Sequence, residues 1–215
     1  MAGIAGLSVP QVHGRIERFR QKYVDDWNEW LNVGDPDRPQ LFRSILNRWK
    51  ACRGNTIRHC RVHRHVHDYP YVEDLILEAS RHLEMLSGFN VSKQISFTAA
   101  TGESLSRLWG IFRRLPYSGS ANGGFAAVVG ISKAVMLLSD GRVGPAFDSE
   151  VRKHLSIRKI ENAEEWFAAL QSVSVDIRAF EEANGCSFVE AIPAKFSALH
   201  AGRVYDMALG PGAQG

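Results

Sequence analysis

With 215 residues, of which 45% are hydrophobic and 23% charged, the chain can bury a core of its own, and its composition is not that of a disordered protein. A formal net charge of +3 selects no class of partner, and three cysteines, an odd number, are no disulfide framework and suit a reducing compartment. Met1 to Pro10 lacks the basic start and apolar run of a signal peptide, and no stretch approaches the roughly 18 apolar residues of a membrane span, so a cytoplasmic protein without membrane association is expected.

Helical periodicity runs through nearly the whole chain. Val12, Ile16, Phe19, Tyr23, Trp27 and Trp30 recur at intervals of three or four and predict one helix from about Gln11 to Leu31. The turn-rich stretch Asn32 to Pro39 ends it. A second helix buries Leu41, Phe42, Ile45, Leu46 and Trp49, with Gly54 as a candidate stop. A third spans about Tyr71 to Ser87, with Gly88 as its end. Ile95 to Ala100 reads as loop or a short helical piece, and Glu103 to Leu115 as a helix closed before Pro116. Tyr117 to Gly124 (YSGSANGG) is a flexible connection and the natural joint if the fold has two lobes. Phe125 to Ser139 is an apolar helix. Asn162 with Glu165, and Ser187 with Glu190, have capping-box spacing. A last helix is predicted from about Ala194 to Leu209. The expected architecture is therefore a single all-α domain over residues 1–215, without repeats or a domain-sized linker.

Between Arg38 and His67 there is no Asp or Glu, while eight Lys or Arg and four of the eight histidines fall there. Arg58, Arg61 and Arg64 lie in its centre. Such a stretch is either a phosphate-attracting face or a solvated one balanced by acids elsewhere in the fold. Cys52, His59, Cys60, His63, His65, His67 and Asp68 carry zinc-ligand chemistry, but no C-x-x-C pair occurs and the interleaved arginines repel a dication. No metal and no cofactor is expected. Trp27, Trp30, Trp49 and Trp166 fall on inward stripes. Trp109, close to Arg107, Arg113 and Arg114, is either core or a platform for a base.

The most informative segment is Val129 to Leu155, VGISKAVMLLSDGRVGPAFDSEVRKHL. It reads as a helix, a polar turn at Ser139-Asp140-Gly141, a Gly-Pro connection, and a new helix that Asp148 caps. A capping carboxylate accepts N–H bonds from the first turn of its helix, and those bonds hold it ionised. With Arg152 and Lys153 following, Asp148 is either a structural cap alone or a carboxylate placed to stabilise a developing cation or orient a water on an anionic substrate.

This segment resembles the helix-hairpin-helix superfamily of DNA glycosylases, in which a hairpin, a helix and a turn precede a Val-Asp-Thr-His-Val-x-Arg motif. Ala146 to Lys153 (AFDSEVRK) is similar to that motif, with Ser149 in place of Thr and Arg152 near the family's Arg. The longer pattern SKAVMLL…GPAFDS, and Arg203 to Leu209 (RVYDMAL), look closer still to uncharacterised bacterial relatives of the superfamily. The likeness covers about 35 of the 215 residues, and Ala127 to Ser132 stands where the family has Leu-Pro-Gly-Val-Gly.

The resemblance implies a bilobal helical fold and base excision from DNA. Asp148 falls on the catalytic carboxylate, and Lys133 lies near the Schiff-base lysine of bifunctional members. Gly130 and Ser132 occupy the hairpin that grips a phosphate, with Arg152, Lys153, Arg58, Arg61 and Arg64 as further DNA contacts. Lys133 as an ordinary packing lysine is the competing reading. The replaced hairpin favours an alternative function, a non-catalytic helical module that binds nucleic acid or a protein after losing the chemistry.

Overall fold

The computed structural model describes residues 3–51, 71–93, 98–115 and 126–210. Among these residues the regular structure is entirely helical: nine α-helices and four short 3-10 turns, with no strand. Arg58, Arg61, Arg64, the cysteine and histidine cluster from Cys52 to Asp68, and the Tyr117–Gly124 connection lie outside the described residues.

The first predicted helix is two. α1 (Val9–Glu17) starts in a capping box between Ser8 and Gln11, and α2 (Gln21–Asn32) follows a break at Arg18–Arg20. No glycine or proline marks the break. Its reason is tertiary: the bend lets Phe19 face the guanidinium of Arg203, 5.0 Å from the ring, while Trp27 and Trp30 still point into the core. α3 (Arg38–Arg48) carries Pro39 in its first turn, where a missing N–H costs nothing.

α3 ends before Gly54. Lys50 takes a left-handed conformation (φ 53°), so that Ala51 N–H reaches Leu46 O at 2.9 Å and Lys50 N–H reaches Asn47 O at 3.0 Å. The same six-to-one closure recurs at Asp140 (φ 51°) and Ser156 (φ 57°), each a non-glycine residue at about 1–2 kcal/mol of backbone strain.

α4 (Val72–Met85) follows the predicted third helix closely. α5 (Ala99–Arg113) starts earlier than its apolar pattern suggests, because Thr98 Oγ1 accepts the Thr101 N–H at 3.2 Å and caps it. α6 (Val128–Leu138), α7 (Ser149–His154) and α8 (Ala163–Asn184) complete the central part, with Asn162 capping α8 through the Glu165 N–H at 2.9 Å.

The predicted last helix is also divided, into a 3-10 turn at Ala194–Phe196 and α9 (Ala201–Leu209). Packing places the start of α9. Gly202 N–H donates to Gly141 O at 3.0 Å, and a Cβ at Gly202 would strike that same oxygen and come within 2.5 Å of the Gly144 carbonyl carbon. Only glycine lets α9 lie this close to the connection that leads into α7.

All the buried apolar side chains of the described residues except Tyr71 form one cluster, running from Ile4 and Val12 through Trp30, Phe42 and Phe112 to Phe147, Trp166, Phe180 and Leu209. Trp109 belongs to this core, its ring 6.0 Å from that of Trp166 and only 7% exposed, so it offers no platform for a base. α6 is the central helix: nearly every residue from Val128 to Leu137 is wholly or largely buried, between α3 and α5. It therefore carries Lys133 into the interior of the fold rather than along a solvated face.

Candidate functional site

The site forms where the α6–α7 connection passes beneath α9. Asp148 caps α7: its Oδ1 accepts the N–H groups of Glu150 at 3.0 Å and Val151 at 3.1 Å. Ser132 sets the approach to that cap. Its hydroxyl donates to Val128 O at 2.7 Å and accepts the Phe147 N–H at 2.9 Å, tying the residue before Asp148 to α6. Ser132 is 2% exposed, so both functions of its hydroxyl are internal.

Gly130 is internal too. A Cβ there would come within 2.9 Å of Ala51 O, so this glycine lets α6 sit against the end of α3. That closeness brings Lys133 Nζ within 2.9 Å of Trp49 O, the carbonyl at the α3 C-cap, where a cation is favoured. Gly130 and Ser132 thus build the site from within and present no surface to a phosphate.

Asp148 and Lys133 line one cavity, together with Phe19, Tyr23, Trp49, Met136, Arg203 and Asp206. The cavity volume is about 30 Å³. That admits water, which needs roughly 10–15 Å³, and falls well short of the roughly 150 Å³ that holds a benzene ring. Asp148 is only 7% exposed. Burial, followed by the negative charge of Asp206, pushes its carboxyl up to about 6, against the opposing pull of the Val151 N–H, Lys133 and the Glu150 N–H.

Arg203 and Asp206 were not among the site residues expected from sequence. They stand three positions apart on α9 and are bonded at 2.6 Å between Nη1 and Oδ2, with side chains 3% and 9% exposed. The Arg203 guanidinium lies 4.9 Å from the Trp27 ring centre, 5.0 Å from Phe19 and 5.6 Å from Trp49. Its Nη2 donates to Tyr23 O at 3.2 Å. Burial lowers its proton affinity and Asp206 restores part of it. Burial raises the Asp206 carboxyl, opposed by Arg203 and Lys133. The signal available in the sequence was an opposite-charge pair inside the otherwise apolar AGRVYDMAL segment.

The remaining expected contacts lie apart. Arg152 is half-buried on α7, its Nε 3.3 Å from Asp148 O and its Nη1 3.0 Å from Arg158 O, while Lys153 is exposed. In the basic stretch, Arg48 is balanced by Asp26 and Glu29 of α2, each at 2.7 Å, and Arg38 stacks 4.7 Å from the Trp30 ring. Among the described residues, no group of three or more His, Cys, Asp or Glu side chains could hold a metal ion, and no helix is long and apolar enough to cross a membrane.

No family model, curated protein or solved structure matches the chain.

Proposed function

We propose that the chain is a DNA-acting enzyme of the helix-hairpin-helix glycosylase type, excising a base with Asp148 as its working carboxylate. The observation that carries this reading is the meeting of Asp148 and Lys133, from the two halves of the motif-like segment, in one water-sized cavity where the acid is held near 6. At neutral pH Asp148 is ionised. It then takes a proton from a water that attacks C1′ of the deoxyribose, and the C1′–N bond breaks with its electron pair and a proton going to the leaving base. In the lysine route Lys133 first gives a proton to Asp148 and the neutral amine attacks C1′; the C1′–N bond breaks with its electron pair and a proton going to the leaving base, and opening of the deoxyribose ring with loss of the second amine proton leaves an imine. Arg152 and Lys153, on the flank of α7, are the described candidates for phosphate contact.

Duplexes carrying single damaged bases test the proposal. Base release by the purified protein, abolished by Asp148→Asn with the fold intact, is the expected result. Borohydride trapping on DNA, lost in Lys133→Gln, assigns the lysine route. No release across a broad panel of lesions overturns the proposal.

The cavity volume favours the second reading. A base cannot enter about 30 Å³ unless the aromatic wall of Phe19, Tyr23 and Trp49 moves. A non-catalytic module would leave that wall closed and bind DNA with a steep salt dependence, or a protein partner, without turnover and without any effect of Asp148→Asn.

A further inference from the structure

Two buried carboxylates share a wall of the cavity, and among the described residues only one has a cation bonded to it. Asp206 receives Arg203 Nη1 at 2.6 Å, and Arg203 cannot leave it, being enclosed by Phe19, Trp27 and Trp49 and held by Tyr23 O. A guanidinium stays charged, so its partner is the carboxyl that ionises first. Asp148 has no such partner among the described residues; its Oδ1 is occupied by two backbone N–H groups. Among the described residues, the charged or titratable groups facing it are Lys133 from α6, Tyr23 from α2, and Arg203 and Asp206 from α9, with Glu150 and Arg152 the nearest on its own helix.

We propose that Asp206 is the positioning residue of this site: fixed by Arg203 across the cavity, its charge governs when Asp148 holds a proton, and so whether the site gives or takes one. The burden on Asp148 fits this order, because Asp206 stands second only to burial among the influences that raise it. While Asp148 is protonated, the described charged side chains lining the cavity, Lys133, Arg203 and Asp206, sum to one positive charge, suited to holding an anion. Once Asp148 ionises, that sum falls to zero and the cavity holds a carboxylate that can stabilise a developing cation. The pair thereby gives one small cavity two charge states separated by a single proton.

The biological meaning of this device rests on the glycosylase reading, but its test does not. Carbon-detected NMR of the side-chain carboxyls, on the whole chain, follows Asp148 and Asp206 through a pH titration. In the wild type the Asp148 midpoint falls near 6, and Asp206 is already ionised when Asp148 titrates. In Asp206→Asn the Asp148 midpoint drops. An Asp148 midpoint unmoved by that substitution overturns the proposal, because burial alone would then account for it. Should Asp206→Asn not fold, the wild type decides: Asp148 titrating at ordinary carboxyl values, or Asp206 still protonated while Asp148 ionises, overturns it equally. Absence of base release with these titrations intact would sink the glycosylase reading alone.

Discussion

Replacing Asp148 by Asn tests whether this carboxylate is kept at a cost to the fold. Folding raises its proton affinity from the ordinary 3.8 to about 6, so the folded protein holds the proton more tightly than the unfolded chain. Stability from such a group is fully present below about pH 4 and is lost as pH rises through 6. Two units correspond to about 3 kcal/mol lost by the wild type between those limits. Asn is as good an N-cap as Asp, and its oxygen can accept the same Glu150 and Val151 N–H groups, so the variant keeps the local structure without the buried charge. Thermal denaturation at a series of pH values should therefore show Asp148→Asn nearly level with wild type at pH 4 and more stable at pH 8. The expected gain is about 2–3 kcal/mol, or roughly 5–10 °C in Tm for a chain of this size. A gain that does not grow with pH, or a variant less stable than wild type at pH 8, would refute the claim that Asp148 is a strained acid.

Three further outcomes follow from the same geometry. Any activity that needs ionised Asp148 should be flat above about pH 7 and fall roughly tenfold per unit below 6, as read in a kcat/KM profile. Ser132→Ala removes the acceptor of the buried Phe147 N–H and should cost about 1–3 kcal/mol by chemical denaturation, lowering activity as the Asp148 cap shifts. Gly202→Ala drives a methyl into the Gly141 carbonyl and should cost about 3 kcal/mol or prevent folding, whereas Gly88→Ala, where a Cβ meets open space, should be close to neutral.

What could be read from the sequence was local chemistry. Asp148 as a cap, Asn162 as a cap and the polar turn after α6 follow from bonds spanning two to six residues, and the structure has each of them. The inward stripes held as well, since burial of Trp27, Trp30, Trp49 and Trp166 needs only a helical period. The break between α1 and α2 was hidden because its cause, the packing of Phe19 on Arg203, is far away in sequence. The late start of α9 was hidden for the same reason, as Gly202 meets Gly141 and Gly144 only in three dimensions. Gly130 and Ser132 are expected from the motif likeness to grip a phosphate, and that likeness could not tell that the structure turns both inward. Asp206 is not legible as a site residue in the sequence, because a carboxylate's meaning depends on which cation is bonded to it and which acid lies across the cavity.

The carboxylate of Asp176 on α8 gathers three donors: Ile4 N–H at 2.7 Å, Ala5 N–H at 3.1 Å and the Tyr205 hydroxyl at 2.7 Å. Tyr205 is the neighbour of Asp206. The opening residues of the chain are thus moored to the same helix that supplies the second acid. Trimming them would strand a desolvated anion with one donor of its three, and the disturbance would reach the cavity along α9. An assay on a shortened chain would then report on a damaged anchorage as much as on the chemistry, and a bulky tag laid against Ile4 would carry the same hazard.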